Sequence, residues 1–501
     1  MKIHILTVPA TEFEERHDNL LFSEEARRDV EIFLHQLSPN RCLGSYPSQS
    51  ANRVPELLKG VLESEKAGAD AVIIDHMEDP GLEAAREIVS IPVIGAAQTA
   101  FTLASILTDK FSVISAQNSN FYSIETLIRR YALREKFASI RSIDFAPPNL
   151  NGDFSSFVAA VIKQCVRAIE KDGANGIVLG FTGLHHEVEE IKFGLREIGY
   201  DLPIINPSVS ALKWAEMLSD LKLSQSLLTY PNGKSLLLPE HLHINGSPTQ
   251  ALRGTYENQA KIHVMVPVVQ GYRPDNWLDD TLRDYTSYAL PTSIVTASAI
   301  TKGPTTIETH YLKSMAIPEM LRIANEAELQ GATALIIDCM SDPSLDPVRQ
   351  EISIPVIGPT QTCCFVAASL AHRFSILGTR SDMGHKFVTQ VSEYGISSKM
   401  ASVRTTGLSV EEVETNPNQL LNALTESGEK AVKIDGAHIL IPGCTGMIGL
   451  AKNIQNALEE LGYSVPVLEP PAVAIKMAEL LTSLRLTHSK LTYRGPARNR
   501  D

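Results

Sequence analysis

One long segment of this chain is written twice, and that duplication limits the architecture more than any other feature. SIPVIGAAQT at residues 90–99 returns as SIPVIGPTQT at 353–362, an offset of 263 residues. The same offset carries AVIIDHMEDPGL (71–82) onto ALIIDCMSDPSL (334–345), and DGANGIVLGFTG (172–183) onto DGAHILIPGCTG (435–446). The opening strands KIHILTVPA and KIHVMVPVV match at a shift of 259, so about four residues were gained or lost just after them. A chain of 501 residues is too long for one ordinary core. Agreement over such a distance therefore predicts two whole-domain copies, 1–230 and 260–501. The connector 231–259, rich in Pro, Gly, Asn and Ser without sustained periodicity, reads as a linker.

Within a copy, short β-branched runs such as HVMVPVV, ALIIDC, FSILGT and AHILIPG alternate with helical patterns such as GLAKNIQNALEELG. Strands that are apolar throughout, without alternation, belong to parallel sheets covered on both faces. Each copy is expected to be an α/β unit, and in such sheets ligands bind beyond the carboxyl ends of the strands. Two cysteines fall there: Cys339 directly after IID, and Cys444 in IPGCTGM.

The formal charge of -13 disfavours nucleic acid and anionic membranes and leaves small molecules as the expected partners. No apolar run approaches a bilayer span and the N-terminus lacks the pattern of a secretory signal, so a cytoplasmic protein is expected. In that compartment the six cysteines are reduced thiols, and none forms a C-x2-C zinc pair. A free thiol with pKa about 8.5 is only slightly ionised at neutral pH. Strand ends facing helix N-termini are expected to lower the pKa of Cys339 and Cys444, with Asp342 capping the helix that follows it and Pro343 in the first turn.

On these motifs the sequence resembles the Asp/Glu/hydantoin racemase superfamily, most closely its hydantoin racemase branch. CMSDPSL matches the family's first cysteine motif, C-F-G-D-P-G-L, and GCTGM matches its second, G-C-A-G-M. GPTTIET (303–309) matches G-P-x-S-I-E, and the closing SKLTY agrees too. The resemblance covers nearly all of the second copy and, more faintly, the first. It implies two flavodoxin-like, parallel-sheet lobes per copy and a racemase or epimerase that uses neither cofactor nor metal. Its two cysteines, here Cys339 and Cys444, act as base and acid on opposite faces of a carbon acid. Main-chain N–H groups around Thr445 and Gly446 then serve the enolate. Thr379, Thr305 and Thr306 are further candidates for holding the substrate. A cis-trans isomerase or decarboxylase of the same superfamily, or a non-catalytic ligand-binding protein, are the competing readings. Two departures concern the substrate. VPV around Pro267 stands where the family has N-P-N, and Gln361-Thr362 stands where it has Glu-Ala.

In the first copy the cysteine positions are His76 and Phe181. Phe181 cannot exchange a proton, so two-base inversion is excluded there. A metal site formed by His76, Asp75, His185 and His186 is disfavoured, because adjacent histidines on one helical turn point apart. Such a copy is explained if the ancestor was a homodimer and the fused chain is an intramolecular pseudo-dimer, itself open to further homo-oligomerisation. Cys42, Cys165, Cys363 and Cys364 are read as non-catalytic.

Overall fold

The computed structural model describes residues 1–7, 12–37, 52–116, 118, 121–143, 154–184, 186–231, 251–271, 273–408, 412 and 417–495. It separates into two compact units. One comprises residues 1–225, 230–257 and 489–492, the other 226–229, 258–488 and 493–501.

The first unit holds two sheets. Strands β1 (Lys2–Thr7), β2 (Glu31–Gln36), β3 (Ala71–Ile74) and β4 (Val93–Gly95) pair in parallel in the order β4-β3-β1-β2. Strands β5 (Phe111–Ser115), β6 (Phe137–Ser142), β7 (Gly176–Leu179) and β8 (Ile204–Ile205) repeat the pattern as β6-β5-β7-β8. Within the expected linker, β9 (Leu252–Arg253) adds an antiparallel edge to β2.

The second unit has the same construction. Strands β10 (Lys261–Val266), β11 (Ile294–Ala299), β12 (Ala334–Ile337) and β13 (Val356–Ile357) run in the order β11-β10-β12-β13. Strands β14 (Phe374–Gly378), β15 (Met400–Thr405) and β16 (Ile439–Pro442) run β15-β14-β16, extended by a bridge from Leu440 to Val467. In every sheet the first strand lies between the second and the third, so the connections leave in opposite directions from neighbouring strands. That reversal opens a crevice beyond the strand ends. β12 and β16 are buried along their whole length, as strands covered on both faces must be.

Two helices join the lobes of the second unit. Pro359–Leu370 (PTQTCCFVAASL) follows β13 yet packs on β14 and β16, while Pro470–Ser483 (PPAVAIKMAELLTS) lies against β10, β12 and β13. Both are apolar round most of their circumference and are buried accordingly. Cys363 and Cys364 lie inside the first of them, where burial pushes both thiols well up from their ordinary pKa. Cys165 is likewise buried, its thiol pushed up to about 12. Cys42 lies outside the described residues.

Asp342 corrects one expectation. It does not cap the helix that follows it: it has φ 41°, and the cap position of Leu345–Glu351 is Ser344. Its carboxylate instead accepts from the N–H groups of Thr360 (3.1 Å) and Gln361 (2.9 Å), capping the helix Pro359–Leu370, and from the Tyr394 hydroxyl (2.6 Å). The close approach demands Gly358, where a Cβ would stand 2.7 Å from the carboxylate.

Candidate active site

The loops leaving β10, β12, β14 and β16 converge on one cleft of about 130 Å³ within the second unit. Those four strands are the central pairs of the two sheets, so the cleft lies at the switch points of both lobes. Cys339, after β12, and Cys444, after β16, both line it.

Cys339 is held by its own turn. Its N–H donates to the Ile337 carbonyl (2.7 Å), its carbonyl accepts from the Asp342 N–H (3.0 Å), and its sulfur accepts from the Ser341 N–H (3.4 Å). The Ser341 hydroxyl lies 3.2 Å from the same sulfur. The turn is anchored through Met340, whose carbonyl accepts from the Thr360 hydroxyl and from the Gln390 amide (3.4 Å).

Cys444 occupies an extended residue at the head of a single 3₁₀ turn, Thr445–Met447, and the α-helix begins only at Ala451. The first N–H groups of such a turn have no partner inside it, which leaves those of Thr445 and Gly446 directed by the turn rather than by helix bonding. Gly443 is required because a Cβ there would stand 3.0 Å from Gly378 Cα and the Leu377 carbonyl. The Thr445 hydroxyl donates to the Asp338 carbonyl (3.4 Å), tying the second cysteine's loop to the first's.

The expected lowering of the Cys339 pKa is overturned. Burial is the largest influence and pushes the thiol up, while Ser341 and the Lys313 ammonium pull it down less strongly. The physical reason is local geometry. A tight turn, not a helix N-terminus, follows β12, so no aligned peptide dipoles offset the loss of solvation. Next to it, the half-buried Asp338 has its carboxyl raised too by loss of solvation, against the hydrogen bond from the Tyr285 hydroxyl (2.7 Å).

Of the other predicted residues, Thr306, Thr379, Thr445 and Gly446 line the cleft. Thr305 is not among its walls: its side chain abuts Gly271, and its carbonyl accepts from Arg273 (3.2 Å). Pro267 lines the cleft between Val266 and Val268, so the altered strand end contributes apolar wall. Gln361 does not reach the cleft. Its side-chain carbonyl accepts from buried Arg349 (2.7 Å), which makes that departure from the family motif a matter of framework.

Sequence reasoning missed Arg273, Trp277, Glu308 and Asp338, all of which line the cleft. Arg273 sits over the Trp277 ring at 5.3 Å, and Glu308 pairs with Arg380 (3.2 Å). Glu308 was accessible as part of the GPTTIET match, and Asp338 as the residue before the cysteine. Arg273 and Trp277 carry no pattern that sets them apart.

The first copy's strand ends are built differently. The His76 Nδ1 accepts from the Glu78 N–H (3.1 Å), as the Cys339 sulfur does from Ser341, and burial lowers the imidazole's pKa, favouring the neutral ring. Phe181 packs edge-on against Phe157 at 5.5 Å in an apolar cluster. Asp75 accepts from the Ser208 hydroxyl (2.9 Å) and is pushed up to about 7 by burial. His185 lies outside the described residues. Among the described residues no cluster of three or more metal-ligating side chains occurs, and no helix is long and apolar enough to cross a membrane.

Comparison with known proteins gives a consistent family. The profile described as Asp/Glu/Hydantoin racemase matches residues 3–213 and again 280–478, one match in each copy. A hydantoin racemase of Rhizobium meliloti is 34% identical over 203 residues, covering 40% of this chain and 82% of its own. Another, from Pseudomonas sp. (strain NS671), is 31% identical over 195 residues, covering 39% of this chain and 76% of its own. Among solved structures, allantoin racemase from Klebsiella pneumoniae aligns with 48% of this chain and 95% of its own, at 26% identity and a TM-score of 0.43.

Proposed function

Because the chain belongs to the Asp/Glu/hydantoin racemase family and is on that ground an isomerase of the racemase type, we propose that its second copy inverts a carbon acid of the hydantoin or allantoin kind without a cofactor. Cys339 and Cys444 are the acid and base. One is thiolate while the other is thiol, and the pair exchanges these states at each inversion. The thiolate removes the proton next to the substrate carbonyl. The resulting enolate is held by the N–H groups of Thr445 and Gly446, and the opposite thiol returns a proton to the other face.

The observation that carries this reading is that both thiols line one cleft, each at the switch point of its own sheet. The raised pKa of Cys339 fits the role of the protonated partner in the resting pair. The apolar wall of Val266, Pro267, Val268 and Trp277 favours a neutral ring or substituent beside the thiols.

The test uses deuterium oxide and single enantiomers of substituted hydantoins and of allantoin. Inversion through two bases gives product of opposite hand carrying one solvent deuterium, while recovered substrate stays protiated at early times. Product that keeps its original hydrogen refutes the two-base route. Turnover that survives in either Cys339→Ser or Cys444→Ser points to the isomerase or decarboxylase chemistry, which needs one cysteine.

A further inference from the structure

Lys313 stands in the first turn of the helix His310–Leu329, capped by the Thr309 hydroxyl through the Leu312 N–H (3.2 Å). A cation there is of the wrong sign for the helix, whose N-terminus is already positive. Its ammonium is nonetheless half-buried and donates to the Ser341 carbonyl (3.4 Å), the residue whose N–H and hydroxyl both contact the Cys339 sulfur. A side chain that breaks a local rule needs a compensating partner.

The groups that act on it are Cys339, Asp342 and Glu393, which favour its charge, and Lys386, which opposes it. Burial lowers its pKa. Lys386 is itself turned to the Glu308 carbonyl and Asp382 (3.8 Å), and Asp342 is occupied by Thr360, Gln361 and Tyr394. Asp338 and Tyr285, which also act on or are acted on by Cys339, are bonded to each other. Lys313 is therefore the cation that acts on the Cys339 sulfur.

The internal repeat supplies independent support. At the 263-residue offset Lys313 corresponds to Ser50, Lys386 to Ser123 and Arg380 to Gln117. These three cations are absent from the copy whose cysteine is His76, while framework residues such as Arg349, Asp342 and Tyr394 recur there as Arg86, Asp79 and Tyr131.

We propose that Lys313 is the counter-ion of the Cys339 thiolate, a positioning residue that sets when this cysteine can serve as the base. The inference rests on Cys339 being a reacting thiol, the reading argued above.

The experiment is read on the thiol itself, without substrate. In the full chain, the rate of iodoacetamide alkylation at Cys339 and at Cys444 is followed against pH by peptide mapping, in wild type, Lys313→Met and Lys313→Arg. The expected result is a Cys339 midpoint raised by at least about one pH unit in Lys313→Met, restored by Lys313→Arg, with the Cys444 midpoint moving much less. An unchanged Cys339 midpoint in Lys313→Met overturns the inference, as does a shift that Lys313→Arg leaves uncorrected or one shared equally by both thiols. If the midpoint moves as expected but Cys339→Ser retains full turnover, the catalytic reading fails and the electrostatic pairing stands.

Discussion

The two copies repeat the same set of framework bonds and differ where the cleft lies. Buried Arg86 and Arg349 donate to the carbonyls of Val93 and Val356 and to the amide oxygens of Gln98 and Gln361. Asp79 and Asp342 cap equivalent helices and accept from Tyr131 and Tyr394, each at 2.6 Å. Arg141 pairs with Asp172 as Arg404 does with Asp435. At the strand ends the agreement stops. Cys339 becomes His76, Cys444 becomes Phe181, and Tyr285, which bonds Asp338, becomes Phe22, leaving Asp75 to Ser208.

What this difference teaches is a way of sorting residues within one chain. Bonds present in both copies belong to the framework, because the copy without the cysteine pair keeps them as well. Groups confined to the second copy and gathered round the cleft are the ones the proposed chemistry draws on.

The sharpest break of that comparison is the removal of one thiol. Cys339→Ser or Cys444→Ser is expected to lower inversion by about a thousandfold, whereas His76→Ala leaves it within about twofold. Polarimetry on the substrates named above decides this. Comparable losses in all three variants would contradict the division between the copies.

Next in size is a framework change that should act on both copies equally. Gly358→Ala sets a Cβ 2.7 Å from the Asp342 carboxylate, and Gly95→Ala sets one 2.6 Å from Asp79. Each is expected to cost roughly 2–3 kcal/mol through a displaced helix cap and a disturbed buried carboxylate. Hydrogen exchange, read separately over residues 71–107 and 334–370, measures the two. A large effect in one copy and none in the other would show that their frameworks are not equivalent.

A smaller effect separates the strand-end carboxyls by pH. Asp75 is pushed up to about 7 in the folded chain, above its unfolded value of about 3.9. The folded state therefore binds this proton more tightly. The stabilisation is full below about pH 4 and is lost as the pH rises through about 7. Asp75→Asn keeps an acceptor for Ser208 and removes the titration. Relative to wild type it should gain roughly 2 kcal/mol at about pH 5.5 and little at pH 4. Denaturant unfolding at the two pH values measures the difference, and an equal effect at both would refute the assignment.

The smallest expected effect is the most informative about the site. Restoring the cysteine pair in the first copy, His76→Cys with Phe181→Cys on a Cys339→Ser background, should give no measurable inversion. The first copy still lacks the counterparts of Lys313, Glu308 and Arg380. Recovered turnover would mean that two thiols on this framework suffice.

Much of this protein was legible in its residue order. The duplication, the parallel sheets and the two cysteines at strand ends rest on local periodicity and on motif identity, and neither needs to know which segments meet. Tertiary structure alone decided the rest. Asp342 caps a helix that starts at Pro359 rather than its own neighbour, because the turn, with φ 41° at this residue, brings its carboxylate to the Thr360 and Gln361 N–H groups. Gln361 turns into the framework because Arg349 reaches it. Thr305 falls outside the cleft while Thr306 lines it, although nothing in the sequence separates them. Cys339 has a raised rather than a lowered pKa, since the loss of water round its sulfur outweighs the pull of Ser341, its neighbour in the turn, and of Lys313, 26 residues away in the chain. Charges and hydrogen bonds act over a few ångströms in space, and which residues come that close is settled when the lobes pack.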